Sequence, residues 1–65
     1  MRVGIIGVGQ IGTSVGRRII GAGHEVSLYD VRAEAMRELE SLGARVCASP
    51  AELAAGSELI CVAVL

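Results

Sequence analysis

Residues 2–12 read Arg2-Val3-Gly4-Ile5-Ile6-Gly7-Val8-Gly9-Gln10-Ile11-Gly12, and the order of events inside that stretch decides the fold. A short apolar run of the kind that forms a buried parallel strand ends at Gly7. A glycine triplet with the spacing G-x-G-x-x-G follows at Gly7, Gly9 and Gly12, and a helical pattern opens at Gln10. The triplet alone is a weak signal. Between a strand and a helix it specifies the turn that seats the pyrophosphate of a dinucleotide. Gly7 makes the tight turn, Gly9 leaves room for a phosphate against the backbone, and Gly12 lets the helix pack onto the strand. The amides of Val8, Gly9, Gln10 and Ile11 are expected to point at the pyrophosphate, with the positive end of the helix behind them. A triphosphate-binding loop is excluded, because it needs Gly-Lys-Ser/Thr here and the chain contains no lysine.

Beyond the triplet, the apolar residues Ile11, Val15 and Ile19 recur at helical spacing over Gln10 to Ala22, with Gly23 as the cap. Gly12 and Gly16 lie beside that stripe and imply close approach of the helix to the first strand. Glu25 to Tyr29 alternates polar and apolar and reads as a second strand that ends at Asp30, the only aspartate of the chain. Arg32 to Leu42 predicts a second helix with Ala35, Met36, Leu39 and Leu42 on one side, closed by Gly43. Arg45 to Ala48 is a short third strand. Ser49-Pro50-Ala51-Glu52 is a helix start, with Ser49 as N-cap, Pro50 at the first helical position and Glu52 completing a capping box. Leu59 to Leu65 is a wholly apolar fourth strand, so both of its faces are expected to be covered, with a further strand beside it. The sum is an α/β chain, β-α-β-α-β-α-β. With right-handed crossovers it is the N-terminal part of a doubly wound parallel (Rossmann) sheet with strand order 3-2-1-4, and residues 1–65 form a partial dinucleotide-binding domain.

Asp30 closes the second strand, where a carboxylate accepts hydrogen bonds from the adenosine ribose hydroxyls, and the same charge disfavours a 2′-phosphate. NAD is therefore the expected cofactor and NADP the lesser alternative. Arg32, two residues on, is the feature that keeps NADP open. The remaining polar residues are weaker candidates: His24 reads as a surface turn residue, and Arg17 and Arg18 as an outer helix face. Cys47 and Cys61 lack metal spacing and read as reduced core thiols of a cytoplasmic protein, so no metal site is expected. The chain is 52% hydrophobic with a formal net charge of −1, which offers no electrostatic footprint for nucleic acid or an anionic membrane. The uncharged stretch Val3 to Gly16 is too short and glycine-rich to span a bilayer.

The segments Gly4 to Gly12, Gly21-Ala22-Gly23-His24-Glu25-Val26, Tyr29-Asp30, Gly43-Ala44 and Ser49-Pro50-Ala51-Glu52 resemble the β-hydroxyacid dehydrogenases. That family includes 3-hydroxyisobutyrate dehydrogenase and the cofactor domain of 6-phosphogluconate dehydrogenase. The resemblance implies an oxidoreductase that moves hydride between nicotinamide and a small 3-hydroxy acid. It also implies a helical second domain that makes a homodimer or higher assembly. The family's catalytic lysine and its substrate-binding segment fall downstream of this chain, so no catalytic residue is expected within it and the chain alone is expected to be inactive. Leu65 falls where the family's fourth strand gives the cofactor backbone contacts. Ile11-Gly12-Thr13-Ser14 is closer to prephenate dehydrogenases, and Cys61-Val62-Ala63-Val64-Leu65 is similar to imine reductases. A non-catalytic nucleotide-binding module stands as a further alternative.

Overall fold

A computed structural model describes residues 1–63. The first apolar run forms strand β1 (Arg2–Ile6), and the chain leaves it through the glycine turn into helix α1 (Gln10–Gly21). Strand β2 (Glu25–Tyr29) follows. A 3-10 turn at Ala33–Met36 then runs into helix α2 (Arg37–Ser41). Strand β3 (Arg45–Val46), helix α3 (Pro50–Ala55) and strand β4 (Leu59–Val62) complete the described chain. All pairings are parallel and the strand order is β3-β2-β1-β4, as the crossover rule requires. The fold expected from the sequence is the one observed.

The core is a layer between the sheet and the α1/α2 side. Ile5 sits opposite Leu28 on one flank and Cys61 on the other. Ile5 and Leu28 join Val8, Val26, Met36, Leu39 and Ala44 in one buried cluster, with Ile19 and Ile20 packed against it. Full burial of a side chain such as Ile5, Leu28 or Leu39 stabilises by about 1.5–3 kcal/mol. On the other side of the sheet, Leu53 of α3 lies over Gly4, where a Cβ would clash with its Cδ2. A residue larger than glycine in the middle of β1 would evict this leucine. The capping box of α3 forms with one shift. The Ser49 hydroxyl accepts from the Glu52 N–H at 3.1 Å, but the Glu52 carboxylate accepts from Ala48 N–H at 2.9 Å rather than from Ser49. Arg45 holds the other Glu52 oxygen at 3.3 Å.

Two expectations need correction. The Ile11/Val15 stripe does not face the sheet: Ile11 is 62% exposed, and the buried residues of α1 are Gly12 and Gly16. At Gly12 the helix comes so close that only glycine fits, which turns Ile11 and Val15 outward, while Ile19 at the far end of the stripe packs against the core as expected. The neighbour of Gly16 is Leu39 of α2 rather than the first strand. The second helix is not continuous from Arg32, because the backbone leaves Asp30 through a tight turn and enters with an i→i+3 bond from Ala35 N–H to Arg32 C=O. Among the described residues β4 is the outermost strand on its side of the sheet, and Leu59, Ile60 and Val62 are exposed there, the apolar surface against which the further strand was expected. Val64 and Leu65 lie outside the described residues.

Candidate dinucleotide site

In the sheet order, β1 is flanked by β2 on one side and β4 on the other, so the direction of winding reverses at β1. Ligands of open parallel sheets bind beyond the carboxyl ends of the strands at such a reversal. A cleft of about 340 Å³ lies there, lined by Gly7, Gly9, Gln10, Ile11, Asp30, Arg32 and Ala63. The glycine triplet and Asp30, far apart in sequence, therefore meet on one surface. A larger hollow of about 580 Å³ lies at the opposite end of the strands, beside His24 and Gly43. The C-termini of α1 and α2 point toward it, and Arg2 and Arg45 are among its lining residues.

Each glycine of the triplet has a distinct reason to be glycine. Gly7 has φ +86°, the left-handed region. Its N–H donates to Tyr29 C=O at 2.9 Å, which ties the turn to the end of β2. A Cβ on Gly12 would stand 2.6 Å from the Gly7 carbonyl oxygen. At Gly9 a Cβ would meet nothing within 4 Å, because that position faces the open cleft. This is the space a phosphate needs. Gly9 is also the N-cap of α1, and no side chain caps that end. The first-turn amides are thus left for a ligand, and the helix carries roughly half a positive charge at this end.

Asp30 binds the protein in two places. Its Oδ2 accepts from the Val8 N–H at 2.7 Å and its Oδ1 from the Arg32 N–H at 2.8 Å. The Arg32 guanidinium lies 3.6 Å from Oδ1, and the Asp30 side chain is only 8% exposed. The Arg32 N–H bond, then the Val8 N–H bond and the Arg32 charge, hold the carboxyl below its ordinary value despite the opposing effect of burial. Asp30 is therefore ionised at neutral pH. Each oxygen keeps a second lone pair for an incoming hydroxyl.

Gly7, Gly9, Gln10, Ile11, Asp30 and Arg32 all reach the cleft, and Gly12 supports the turn from beneath. Val8 departs from expectation. It is buried, and its N–H is spent on Asp30, so it is not free for a phosphate. Leu65 lies outside the described residues. One lining residue escaped the sequence reading: Ala63 follows β4 and donates to Ile6 C=O at 2.8 Å. The reversal of strand order beside β1 was the signal that could have found it. His24 is exposed at the opposite end, next to the chain's amino terminus.

The model of one protein family, the NAD-binding domain of 6-phosphogluconate dehydrogenase, matches residues 2–65. The chain belongs to this family. Among characterised relatives it is 38% identical over 58 residues to the 3-sulfolactaldehyde reductase of Escherichia coli, covering 89% of this chain and 20% of the reductase. It is 42% identical over 53 residues to the NAD(+)-dependent, decarboxylating 6-phosphogluconate dehydrogenase of Haloferax volcanii, covering 82% of this chain and 18% of the enzyme. The imine reductase of Streptomyces aurantiacus superposes with a TM-score of 0.94 at 26% identity, covering 98% of this chain and 23% of the reductase. The chain thus spans about a fifth of the length of the proteins it resembles. Among the described residues, no helix of this NAD-binding domain is long and apolar enough to cross a membrane.

Proposed function

We propose that this domain holds NAD for an oxidoreductase that moves hydride between nicotinamide and a small 3-hydroxy acid. The observation that carries the reading is the convergence of the uncapped α1 N-terminus and the ionised Asp30 on one cleft. The backbone N–H groups at Gly9, Gln10 and Ile11 bind the pyrophosphate, while Gly7 and Gly12 set the turn that presents them. Asp30 accepts hydrogen bonds from the adenosine ribose. Ala63 faces the cofactor from the β1/β4 side. When bound, NAD supplies the hydride acceptor or donor; this chain supplies its seat and orientation. Proton transfer to the substrate and the subunit contacts of a homodimer or larger assembly belong to other parts of the enzyme. The free thiols of Cys47 and Cys61 support a reducing compartment, the cytoplasm.

NAD is favoured over NADP because a 2′-phosphate beside Asp30 would meet its charge. Two unit charges about 4 Å apart repel by about 4 kcal/mol at an effective dielectric near 20. The Arg32 guanidinium offsets part of that. Calorimetric titration of the 65-residue chain with both cofactors tests the reading. NAD should bind at least tenfold tighter than NADP. A folded chain that shows no heat with NAD at millimolar concentration would refute the assignment, and a preference for NADP would refute the role given to Asp30. The structural likeness to an imine reductase supports a second reading, in which the hydride acceptor is a C=N rather than a C=O bond. Assay of the whole enzyme with matched cyclic imines and 3-hydroxy acids separates the two.

A further inference from the structure

We propose that Asp30 is a positioning residue for the phosphate turn, shaping it before any ligand arrives, and not only the partner of a ribose. The proposal rests on the dinucleotide reading above. Two successive amides of the turn are tied to two successive residues at the end of β2: Gly7 N–H to Tyr29 C=O at 2.9 Å, and Val8 N–H to Asp30 Oδ2 at 2.7 Å. The first bond is backbone to backbone and does not depend on the side chain at Tyr29 or Asp30. The second depends on one side chain. Val8 is 1% exposed, so water cannot take over as acceptor, and an unpaired buried N–H is costly. The turn would move to find a partner. The amides at Gly9, Gln10 and Ile11 ride on that turn, and the Gly12 contact on the Gly7 carbonyl locks helix and turn together.

The chemistry of the pair explains why an acid stands here. A carboxylate accepts on both oxygens, and here each oxygen faces a backbone N–H, from Val8 and from Arg32. A carboxamide of the same shape accepts on one side only and presents N–H on the other. Asp30→Asn therefore sets a donor against a donor at Val8 or at Arg32. The effect on a phosphate ligand separates this role from ribose binding. Removing a negative charge near an anion tightens its binding by electrostatics alone, whereas a disturbed turn weakens it.

The test compares wild type with Asp30→Asn using two probes, NAD and inorganic pyrophosphate, which has no ribose. NAD affinity should fall at least tenfold and pyrophosphate affinity at least threefold. Val8 amide exchange in the ligand-free chain should speed up at least tenfold while that of Ile5 is unchanged. Loss of NAD binding alone, with pyrophosphate unchanged or tighter, overturns the positioning role and leaves the dinucleotide reading standing. A wild-type chain that binds neither probe overturns both. Should Asp30→Asn fail to fold, the ligand-free wild type decides by magnetic resonance. A scalar coupling across the hydrogen bond from the Val8 amide nitrogen to the Asp30 carboxylate carbon supports the proposal. Its absence in a spectrum that shows the Gly7-to-Tyr29 coupling overturns it.

Discussion

Replacing Gly12 by alanine is a sharp test of how the site is built, because two effects of known size oppose each other. Alanine is the better helix former by up to about 1 kcal/mol in a helix interior. Against this, the new Cβ would lie 2.6 Å from the Gly7 carbonyl oxygen and 3.6 Å from Ile5 Cγ2. The first distance is far inside contact range. The atom it meets is backbone, held by the +86° turn at Gly7 and its bond to Tyr29. It cannot swing away as a side-chain tip would. Overpacking of this kind costs about 1–3 kcal/mol, so with the full propensity gain subtracted the expected net loss is up to about 2 kcal/mol. For a chain of this size that lowers Tm by roughly 4–8 °C per kcal/mol. Gly21→Ala is the internal control, because it lies in the same helix with nothing within 4 Å of the added atom. It should leave stability unchanged or raise it by up to about 1 kcal/mol. Urea unfolding followed by circular dichroism measures both, and titration with NAD should show weaker binding for Gly12→Ala only. A Gly12→Ala chain as stable as Gly21→Ala would refute the claim that helix and turn meet backbone to backbone.

Two further perturbations follow from the same geometry. The folded-state carboxyl of Asp30 lies below its ordinary value of 3.8, mainly through the Arg32 N–H bond. Its stabilising effect is thus complete above the ordinary carboxylate range, shrinks as pH falls through it, and is gone below the folded-state value. The difference in urea midpoint between wild type and Asp30→Asn should be largest near neutrality and vanish at strongly acidic pH; a difference independent of pH would refute it. Ser49→Ala removes the hydroxyl that accepts the Glu52 N–H at the start of α3. It should cost about 1 kcal/mol, seen as a lower Tm with unchanged NAD affinity, because α3 lies away from the cleft.

What the sequence disclosed and what it withheld divide along a physical line. Signals confined to a few consecutive residues were legible: the strand before Gly7, the turn itself, and the Ser49-Pro50 helix start. Strand order followed from them by the handedness of crossovers. The orientation of α1 was not legible, because periodicity locates a helical face by its apolar side chains. Where backbones touch there are no side chains to count. Gly12, against the Gly7 backbone, and Gly16, under the Leu39 side chain, mark the buried face by having nothing on it, and Ile11 and Val15 point elsewhere.

Asp30 shows the same line inside the site. Its place at the end of β2, and the ribose contact proposed for it, could be read from spacing. Its bond to Val8 could not, since that pairing exists only once two strand ends are side by side. The two roles are compatible because a carboxylate has four lone pairs and the protein uses one on each oxygen. They also constrain each other. A glutamate at this position would keep the charge but extend the carboxylate by a methylene, away from one of two amides fixed at 2.7 and 2.8 Å. The acid proposed to select the cofactor is thus held to aspartate by the turn it supports, which is why its length matters as well as its charge.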